Sequence, residues 1–251
     1  MPNPPLPRRV LALGATSAIA EATLRLLAED GASFFLVGRD AQKLAAVRGD
    51  LITRGAAAAE VWTADLDVTA EHPAMLENAV AALGGIDLAL LAHGVLGDQA
   101  TAQQDYAAAE AVLRTNFLSA VSLIGWLANY CEAQNSGTLA VISSVAGDRG
   151  RKSNYIYGAS KGGLDIVLQG LRHRLYGTGV QILTIKPGFV ATPMTAHLPP
   201  SPLFASPARV AKDIIRAIRK GKSVVYTPPF WALIMLAVRN CPAFLFHRTE
   251  F

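Results

Sequence analysis

The sequence is poor in cysteine: Cys131 and Cys241 are its only two, and they lie far apart in the chain. Such a pair matches neither a disulfide framework nor the ligand spacing of a metal site. The basic residues give a net charge of +4 but are scattered, without the long cationic runs that bind nucleic acid. We therefore expect reduced thiols, no metal and no nucleic-acid partner, and the charge suits an anionic small ligand or membrane surface better.

A hydrophobic run long enough to cross a bilayer is also missing. The longest run, Phe230 to Val238, falls well short of the roughly 20 residues that a spanning helix needs. The N-terminal MPNPPLPRR places prolines where a signal peptide needs an apolar helical region. The sequence therefore predicts a cytoplasmic protein without a transmembrane helix, in which residues 1–8 form a short disordered lead-in.

The composition, 51% hydrophobic and 17% charged over 251 residues, provides enough apolar material for one large domain with a buried core. Seven short runs are apolar through most of their length, as is typical of strands buried on both faces of a sheet. They alternate with helix-length segments, which predicts a single-domain α/β fold of the Rossmann type: a doubly wound, parallel, seven-stranded sheet with helices on both faces. The predicted strands cover residues 10–13, 34–37, 61–64, 88–92, 139–143, 181–185 and 223–226.

Six segments between these runs have the apolar spacing of helices. They cover residues 19–29, 41–54, 73–83, 106–130, 155–176 and 207–219. Several are followed by a glycine, the residue that most often ends a helix. These glycines are Gly31, Gly55, Gly84, Gly177 and Gly221.

The stretch GATSAIA, residues 14–20, follows the first predicted strand and opens the first helix. A helix N-terminus in this position binds phosphate, because its first N–H groups lack partners and its dipole is positive there. Phosphate-binding loops of this kind usually carry three glycines, whereas Ala18 and Ala20 replace two of them here. If both alanines have helical φ, each adds only a methyl group and the loop still accommodates a dinucleotide. An ordinary strand-to-helix turn is the alternative.

The end of the second predicted strand indicates which dinucleotide to expect. In nucleotide-binding folds an acidic residue there binds the ribose 2′-hydroxyl of NAD, whereas an arginine accommodates the 2′-phosphate of NADP. This sequence reads LVGRD, and the guanidinium of Arg39 matches phosphate oxygens with paired hydrogen bonds. We therefore expect NADP(H), although Asp40 keeps NAD(H) open as an alternative.

The stretch SSVAGDRGRKSNYIYGASK, residues 143–161, carries the strongest functional signal. Tyr157 and Lys161 are four residues apart on a predicted helix and therefore share one face. Ser144 lies just after a predicted strand, where a parallel sheet presents its ligand crevice. With Asn116 in the preceding long helix, this set resembles the short-chain dehydrogenase/reductase family, whose pattern is Asn, Ser and Tyr-x-x-x-Lys. The resemblance extends over about residues 9–226, which we take as the NADP-binding reductase domain.

The chemistry of carbonyl reduction explains this grouping. A free tyrosine has a pKa of about 10, and a nearby ammonium such as that of Lys161 lowers it by favouring the phenolate. The resemblance implies that Tyr157 exchanges a proton with the substrate oxygen, while Ser144 hydrogen-bonds the same oxygen. It also implies that Lys161 holds the nicotinamide ribose, and that Asn116 holds a water that links Lys161 to solvent.

The resemblance also assigns cofactor contacts along the chain. Asp65 and Leu66 follow the third predicted strand and are expected to place backbone against the adenine. Residues 187–194, PGFVATPM, belong to the segment that usually meets the nicotinamide carboxamide and the substrate. The expected cofactor contacts are Gly14, Thr16, Ser17, Ala18, Ile19, Arg39, Asp65, Leu66, His93, Gly94, Tyr157, Lys161, Pro187, Gly188, Val190 and Thr192.

One element departs from the family pattern. The family usually shows Asn-Asn-Ala-Gly after the fourth strand, whereas this sequence reads LAHG, of which only Gly94 matches. We interpret His93 as part of the cofactor wall rather than as a general base. Together with the two alanines of the phosphate loop, this departure leaves one alternative function, a non-catalytic NADP-sensing or scaffold protein with the same fold.

The tail, residues 227–251, also departs from the common family pattern. It combines Phe, Trp, Leu, Ile and Met with basic residues such as Arg239 and Arg248. Two interpretations stay open: an interfacial segment that lies on an anionic membrane, or a flap packed on the substrate cleft or on a partner subunit.

Within the family, GVLGD at 94–98, the catalytic stretch, KPGFVATPMTA and the apolar tail are similar to the decaprenylphosphoryl-2-ketoribose reductases. Those enzymes reduce a keto-sugar carried on a polyprenyl phosphate. This resemblance implies a small-molecule or lipid-linked carbonyl substrate. Because family members commonly pair through the helices at 106–130 and 155–176, the resemblance also implies a homo-oligomer.

Overall fold

The computed structural model describes residues 6–196, 199 and 201–249. Its strands are β1 (Arg9–Leu13), β2 (Ser33–Gly38), β3 (Ala58–Thr63), β4 (Leu88–Leu91), β5 (Gly137–Ile142), β6 (Val180–Pro187) and β7 (Val224–Thr227). They form one sheet in the order β3-β2-β1-β4-β5-β6-β7, and every neighbouring pair is parallel. The predicted parallel, seven-stranded, Rossmann-type sheet is confirmed.

Helices connect the strands and cover the sheet. They are α1 (Ala18–Ala28), α2 (Ala41–Thr53), α3 (His72–Leu83), α4 (Gln99–Ala102), α5 (Tyr106–Leu113), α6 (Ser119–Gln134), α7 (Tyr155–Arg174), α8 (Pro207–Arg219), α9 (Phe230–Asn240) and α10 (Ala243–Phe246). A π-helical turn, Arg114–Leu118, joins α5 to α6. Each glycine predicted to end a helix has a positive φ, as a left-handed helix cap requires.

The central strand β1 shows how the sheet is buried on both faces. Consecutive side chains of a strand point to opposite faces, so each face of β1 needs its own apolar partners. Val10 and Ala12 belong to a core cluster that includes residues of α1 and α8. Leu11 and Leu13 belong to a second cluster with residues of α3 and α6. The two clusters lie on opposite sides of the sheet, as the doubly wound prediction requires.

The third strand differs from its prediction. It runs over Ala58–Thr63 rather than 61–64, so its first half was missed. Because β3 is an edge strand with one neighbour, several of its side chains, including Glu60 and Val61, are exposed. An edge strand does not need the continuous apolar run by which the buried strands were recognised.

The long helix predicted over 106–130 is divided by the π turn and continues to Gln134. A π turn widens the helix locally, and apolar spacing does not reveal this. Within the described residues, 106–134 is the one helix long and apolar enough to cross a membrane by length and composition. Its inner side is packed on the sheet, where Leu123 and Leu127 have no exposed surface, and this burial is typical of a core helix.

The tail forms α9 and α10, which were not predicted as helices. α9 packs its Trp231 and Met235 side chains against Val145 and against the partly buried Phe189 and Tyr226. Residues 250 and 251 of the predicted tail lie outside the described residues.

Residues 1–5 of the predicted lead-in also lie outside the described residues. Of the remaining three, Leu6 packs against the core cluster beside α1, and Arg8 donates its backbone N–H to the Asp87 carboxylate at 3.1 Å.

Candidate active site

A cleft of about 1240 Å³ opens at the carboxyl ends of the strands, beside the junction of β1 and β4. The chain order reverses between these two strands, and in open parallel sheets ligands bind at such a reversal. Every residue predicted to be catalytic or to contact the cofactor lines this cleft except Asn116, which is buried behind it. Small-molecule pockets usually have volumes of about 300–1,000 Å³, so this cleft has room for a dinucleotide and a substrate.

The phosphate loop turns sharply at Gly14, directly after β1. Its φ of +83° is a left-handed conformation that residues with a Cβ rarely adopt. A Cβ on Gly14 would also lie 2.6 Å from the backbone nitrogen of His93, which is too close for any side chain. The N–H groups of Gly14 and Ala15 both donate to the Val37 carbonyl, at 3.0 and 2.9 Å. These bonds tie the loop to the end of β2.

The two alanines of the loop lie in the first turn of α1. Ala18 is the first residue of the helix, and Ala20 is buried two residues later. Neither has a positive φ, since Asn135 is the one described residue other than glycine that does. Alanine therefore causes no backbone strain at either position. The first turn, whose N–H groups have no partners within the helix, lies on the cleft wall.

Arg39 and Asp40 differ in what they are available to bind. Asp40 caps α2, and its Oδ1 accepts hydrogen bonds from the backbone N–H groups of Gln42 and Lys43, both at 3.0 Å. Arg39 is exposed and lines the cleft at the end of β2. Because the carboxylate already caps the helix, this corner of the cleft presents a guanidinium, which suits a phosphate.

Asp65 and Leu66 form the turn after β3, and both line the cleft. The Asp65 carboxylate accepts a hydrogen bond from the Asp67 N–H at 3.1 Å, so it stabilises the turn. The Leu66 carbonyl accepts a hydrogen bond from the Ser119 hydroxyl at 2.5 Å. The turn is thereby fixed to the start of α6.

His93 belongs to the same hydrogen-bond network. Its Nε2 lies 3.2 Å from the Ser119 Oγ, and that hydroxyl already donates its proton to Leu66. His93 must therefore donate from Nε2, which leaves Nδ1 as a bare acceptor. Nδ1 is buried and has no hydrogen-bond partner among the described residues. Burial, with smaller contributions from Lys161 and other cations, lowers the pKa of His93 to about 3, so the ring is neutral.

Tyr157 and Ser144 both line the cleft, and Ser144 acts on the Tyr157 hydroxyl by lowering its pKa. Ser144 also accepts the Ala146 N–H at 3.1 Å, which fixes its hydroxyl just after β5. Lys161 is 4% exposed and donates to the Ile142 carbonyl at 3.1 Å. Its Nζ lies 5.9 Å from the centre of the Tyr157 ring. The four-residue spacing on α7 thus places the ammonium beside the phenol.

Burial is the largest influence on the pKa of both groups. It raises the pKa of Tyr157, and the nearby Ser144 and the charge of Arg151 oppose this rise only in part. It lowers the pKa of Lys161 from 10.5 to about 8, against the opposing effect of the Asp165 carboxylate. Lys161 is therefore largely charged at neutral pH. The cation that acts on Tyr157 in this structure is Arg151, which lies in an irregular loop and was not singled out from the sequence.

Asn116 sits in the π turn and holds the loop after β4. Its Nδ2 donates to the Val95 carbonyl and its Oδ1 accepts from the Val95 N–H, both at 2.8 Å. Nδ2 also donates to the Ser160 Oγ at 3.2 Å, and this serine is next to Lys161 on α7. Asn116 thus connects the cofactor side of the cleft to the catalytic helix, and a water held by it stays a prediction.

A buried cluster of charges lies directly behind Lys161. The Asp165 Oδ2, one turn further along α7, is 2.7 Å from the Lys186 Nζ, and Lys186 also pairs with Asp148. The Tyr226 hydroxyl donates to the second Asp148 oxygen at 2.8 Å. Burial raises the pKa of Asp165, and the adjacent Lys186 ammonium opposes this rise only in part. Burial alone would lower the pKa of Lys186, but its hydrogen bonds to the two carboxylates outweigh burial and raise it.

The segment after β6 closes the cleft on the side of the catalytic residues. β6 ends at Pro187, and the Gly188 N–H donates to the Thr227 carbonyl at 3.1 Å. Val190 is buried, and Thr192 begins a short 3₁₀ turn; all of these except Thr227 line the cleft. The predicted nicotinamide segment thus lines the same cleft as Tyr157.

The residues present suit a nicotinamide dinucleotide. The first turn of α1 places a helix N-terminus on the cleft wall, which suits a pyrophosphate, Arg39 offers a guanidinium, and the bare Nδ1 of His93 can accept a hydrogen bond from a ligand. Lys161 and Tyr157 line the same cleft and would lie beside the nicotinamide end of the cofactor. Among the described residues, no group of three or more His, Cys, Asp or Glu side chains is arranged to hold a metal ion.

Comparison with known proteins agrees with this geometry. A family model described as short chain dehydrogenase matches residues 8–202. An uncharacterized oxidoreductase of Mycobacterium tuberculosis is 42% identical over 241 residues, which cover 95% of this chain and 96% of that protein. An uncharacterized oxidoreductase of Streptomyces coelicolor is 40% identical over 245 residues, which cover 96% of this chain and 96% of that protein.

The fold itself has a close match among solved structures. The crystal structure of levodione reductase superposes with a TM-score of 0.81 over 89% of this chain and 97% of that one. At 21% identity, the likeness concerns the fold alone.

Proposed function

Because the chain belongs to the short-chain dehydrogenase family of NAD(P)-dependent oxidoreductases, we propose that it is an NADP(H)-dependent reductase that interconverts a carbonyl and a secondary alcohol. The observation that carries this proposal is that Ser144, Tyr157 and the buried Lys161 line one cleft, with the Lys161 Nζ 5.9 Å from the centre of the Tyr157 ring. A scaffold protein has no need for two hydroxyls and an ammonium in one cleft.

The proposed mechanism divides the reduction between the cofactor and the chain. When bound, the reduced nicotinamide supplies the hydride that the carbonyl carbon accepts. Tyr157 donates its hydroxyl proton to the carbonyl oxygen, and Ser144 donates a hydrogen bond to the same oxygen as negative charge develops. The charge of Arg151 favours the phenolate that is left, and the proton of Tyr157 returns from solvent. The reverse sequence oxidises the alcohol.

The preference for NADP(H) rests on the difference between Arg39 and Asp40. The Asp40 carboxylate accepts two backbone N–H groups of α2, and the Arg39 side chain lines the cleft. A 2′-phosphate would pair with this guanidinium, whereas the ribose 2′-hydroxyl of NAD(H) would find no free carboxylate in Asp40. NAD(H) is the alternative cofactor.

For the substrate, we propose a keto-sugar carried on a polyprenyl phosphate, as in the decaprenylphosphoryl-2-ketoribose reductases that the sequence resembles. The substrate end of the cleft combines apolar side chains, including Leu96, Phe189 and Met194, with the cations of Arg151 and Lys152. Apolar side chains suit a prenyl chain, and cations suit its phosphate. A small carbonyl compound without a lipid is the alternative.

We further propose a cytoplasmic homo-oligomer. Both cysteines, Cys131 and Cys241, are free, which fits a reducing compartment. On the long helices through which family members commonly pair, Ile166 of α7 and Leu118 of the π turn are largely exposed. Large apolar side chains exposed on adjacent helices are typical of a surface that a second copy covers.

The test is the Tyr157→Phe variant, assayed with NADPH and a panel of keto-sugars and simpler carbonyl compounds by the loss of NADPH absorbance. Removing the proton donor should reduce turnover by about 100- to 10,000-fold, the usual contribution of general acid catalysis, while NADPH binding persists. The matched control is Tyr155→Phe, two residues earlier on the exposed side of α7, which should retain full activity. Turnover retained in Tyr157→Phe would contradict the proposed role.

A further inference from the structure

Helix α9 has two apolar faces, and only one of them is covered. On the inner face Trp231 and Met235 are each 1% exposed. On the other side Leu233 is 73% exposed and Leu236 is 51% exposed, and in α10 Phe244 is 65% exposed. Two further exposed side chains complete this patch, which we call the outer face: Phe230, Leu233, Leu236, Phe244 and Leu245. A contiguous sequence segment with this many exposed large apolar side chains indicates an interaction site.

The inner face holds the outer face rigidly in place. The Trp231 ring packs so closely on the segment after β6 that a Cβ on Gly188 would lie 2.0 Å from it. At the other end of α9, the Arg149 guanidinium donates to the carbonyls of Val238 and Cys241, at 2.5 and 2.6 Å, and lies 3.8 Å from the Phe246 ring centre. Both ends of the helix are therefore anchored, and the outer face is a fixed surface.

Among the described residues of the tail, the charged side chains beside the outer face have one sign. Residues 228–249 contain Arg239, Arg248 and His247 and no Asp or Glu, and all three basic side chains are exposed. Exposed apolar side chains flanked by cations, without anions, are complementary to anionic lipid head groups above an acyl layer.

A second copy of the chain fits this surface less well. In a two-fold contact the same patch faces itself, so Arg239 and Arg248 of one copy would approach those of the other. Residues 228–249 offer no carboxylate to neutralise them, and the next residue, Glu250, lies outside the described residues. The exposed side chains of the long helices, including Ile166, already provide a separate apolar surface for self-association.

The outer face also lies close to the substrate end of the cleft. Trp231 on the inner face of α9 meets Phe189 edge to face, with ring centres 5.5 Å apart, and Phe189 lines the cleft. Met194, another lining residue, is exposed at the cleft entrance. One layer of side chains thus separates the cleft wall from the outer face.

We propose that the outer face of α9 and α10 docks on an anionic membrane surface and brings the substrate end of the cleft to the lipid. The α9 helix has 11 residues and a length of about 16 Å, about half the hydrocarbon thickness, so it lies along the membrane surface rather than across it. The docking depends on α9 and α10 and not on the identity of the substrate.

The test is sedimentation of the full-length protein with vesicles of phosphatidylcholine containing phosphatidylglycerol, and with vesicles of phosphatidylcholine alone. We expect binding to the anionic vesicles that weakens with added salt. The double variant Leu233→Ser/Leu236→Ser should bind these vesicles at least about tenfold more weakly than the wild type, because two exposed apolar side chains are lost from the contact. The matched control, Ile52→Ser/Val61→Ser, removes two aliphatic side chains of 45% and 41% exposure elsewhere and should bind as the wild type does.

Absence of binding to anionic vesicles, or equal binding by the Leu233/Leu236 variant, would overturn the proposal. Analytical ultracentrifugation of the same variant tests whether a second copy of the chain covers the outer face. A smaller assembly than that of the wild type would make the outer face an interface between copies instead. NADPH titration of this variant should give the wild-type result, because neither leucine lines the cleft. A failure of docking is thereby distinguished from a failure of the proposed reductase function.

Discussion

The phosphate-loop end of the cleft and its catalytic end are built from different parts of the polypeptide. At the first end, the groups that face a phosphate are backbone N–H groups at the start of α1, and side chains matter mainly by the space they leave. At the second end, the groups are the side chains of Ser144, Tyr157 and Lys161, supported by buried charges. A backbone site tolerates Ala18 and Ala20 in place of glycine, whereas a side-chain site requires its residues to be present. This difference explains how a loop with one glycine coexists with a complete catalytic set.

The largest effect is expected at Gly14, the loop position where a side chain does not fit. Gly14→Ala should weaken NADPH binding by more than about 100-fold, because it combines a strained φ with a Cβ 2.6 Å from the His93 backbone. Gly31→Ala is the control: its φ of +77° is similar, but nothing lies within 4 Å of the new Cβ and the residue is outside the cleft. Isothermal titration calorimetry with NADPH measures the affinity of both variants. Similar binding by both variants would show that the loop does not contact the nucleotide.

Arg39 is the side chain on which the phosphate end depends most. Arg39→Ala should weaken NADPH binding by about 10- to 100-fold, since a hydrogen bond to a charged group is worth about 1.5–3 kcal/mol. NADH binding should change little, because it lacks the 2′-phosphate. Arg54→Ala, an arginine outside the cleft, serves as the control in the same fluorescence titration. Equal loss for both nucleotides would contradict the assignment of Arg39 to the 2′-phosphate.

At the catalytic end, the buried carboxylate of Asp165 should tune Lys161. The Lys161 pKa is depressed to about 8, so its ammonium is present below that pH and lost as the pH rises through it. Asp165 opposes this depression, so Asp165→Asn should move the loss of activity at high pH to lower pH and reduce the rate a few-fold at neutral pH. Asp148→Asn, which removes the other partner of Lys186, is the control. An unchanged pH profile of kcat in Asp165→Asn would exclude an electrostatic role.

The smallest effect should come from restoring glycine to the phosphate loop. Ala18→Gly should change NADPH affinity by less than about twofold, because a helical residue with φ below zero gains nothing from glycine. It should lower the free energy of unfolding by up to about 1 kcal/mol, the cost of glycine in a helix. Urea denaturation and NADPH titration of one sample measure both. A large gain in affinity would show that the alanines impair the loop.

The elements predicted well from sequence are those whose own residues determine them. The runs that became β1 and β4 are apolar throughout, and α8 begins and ends where its spacing and flanking residues predict, over Pro207–Arg219. Tyr157 and Lys161 are brought together by one helix, so their four-residue spacing is sufficient.

The features that were missed depend on contacts between distant parts of the chain. The ion pairs of Lys186 with Asp148 and Asp165 form only because β6 lies beside β5 and α7 packs near their ends. The only indication of this cluster in the local sequence was that Lys161 and Asp165 are four residues apart on one helix. Arg151 acts on Tyr157 from a loop, where no helical or strand spacing marks a residue as functional. The strand β3 lies at the edge of the sheet, and its exposed side chains interrupt the apolar run by which the other strands were predicted.

The most direct test of the account is a fluorescence titration of the wild-type protein with NADPH and with NADH, since every proposed role of the catalytic end requires that the altered phosphate loop hold a dinucleotide. We expect saturable binding of NADPH in the micromolar range and weaker binding of NADH. Failure of both nucleotides to bind at millimolar concentration would contradict the account, because an intact Tyr157 and Lys161 would then have no cofactor to act with.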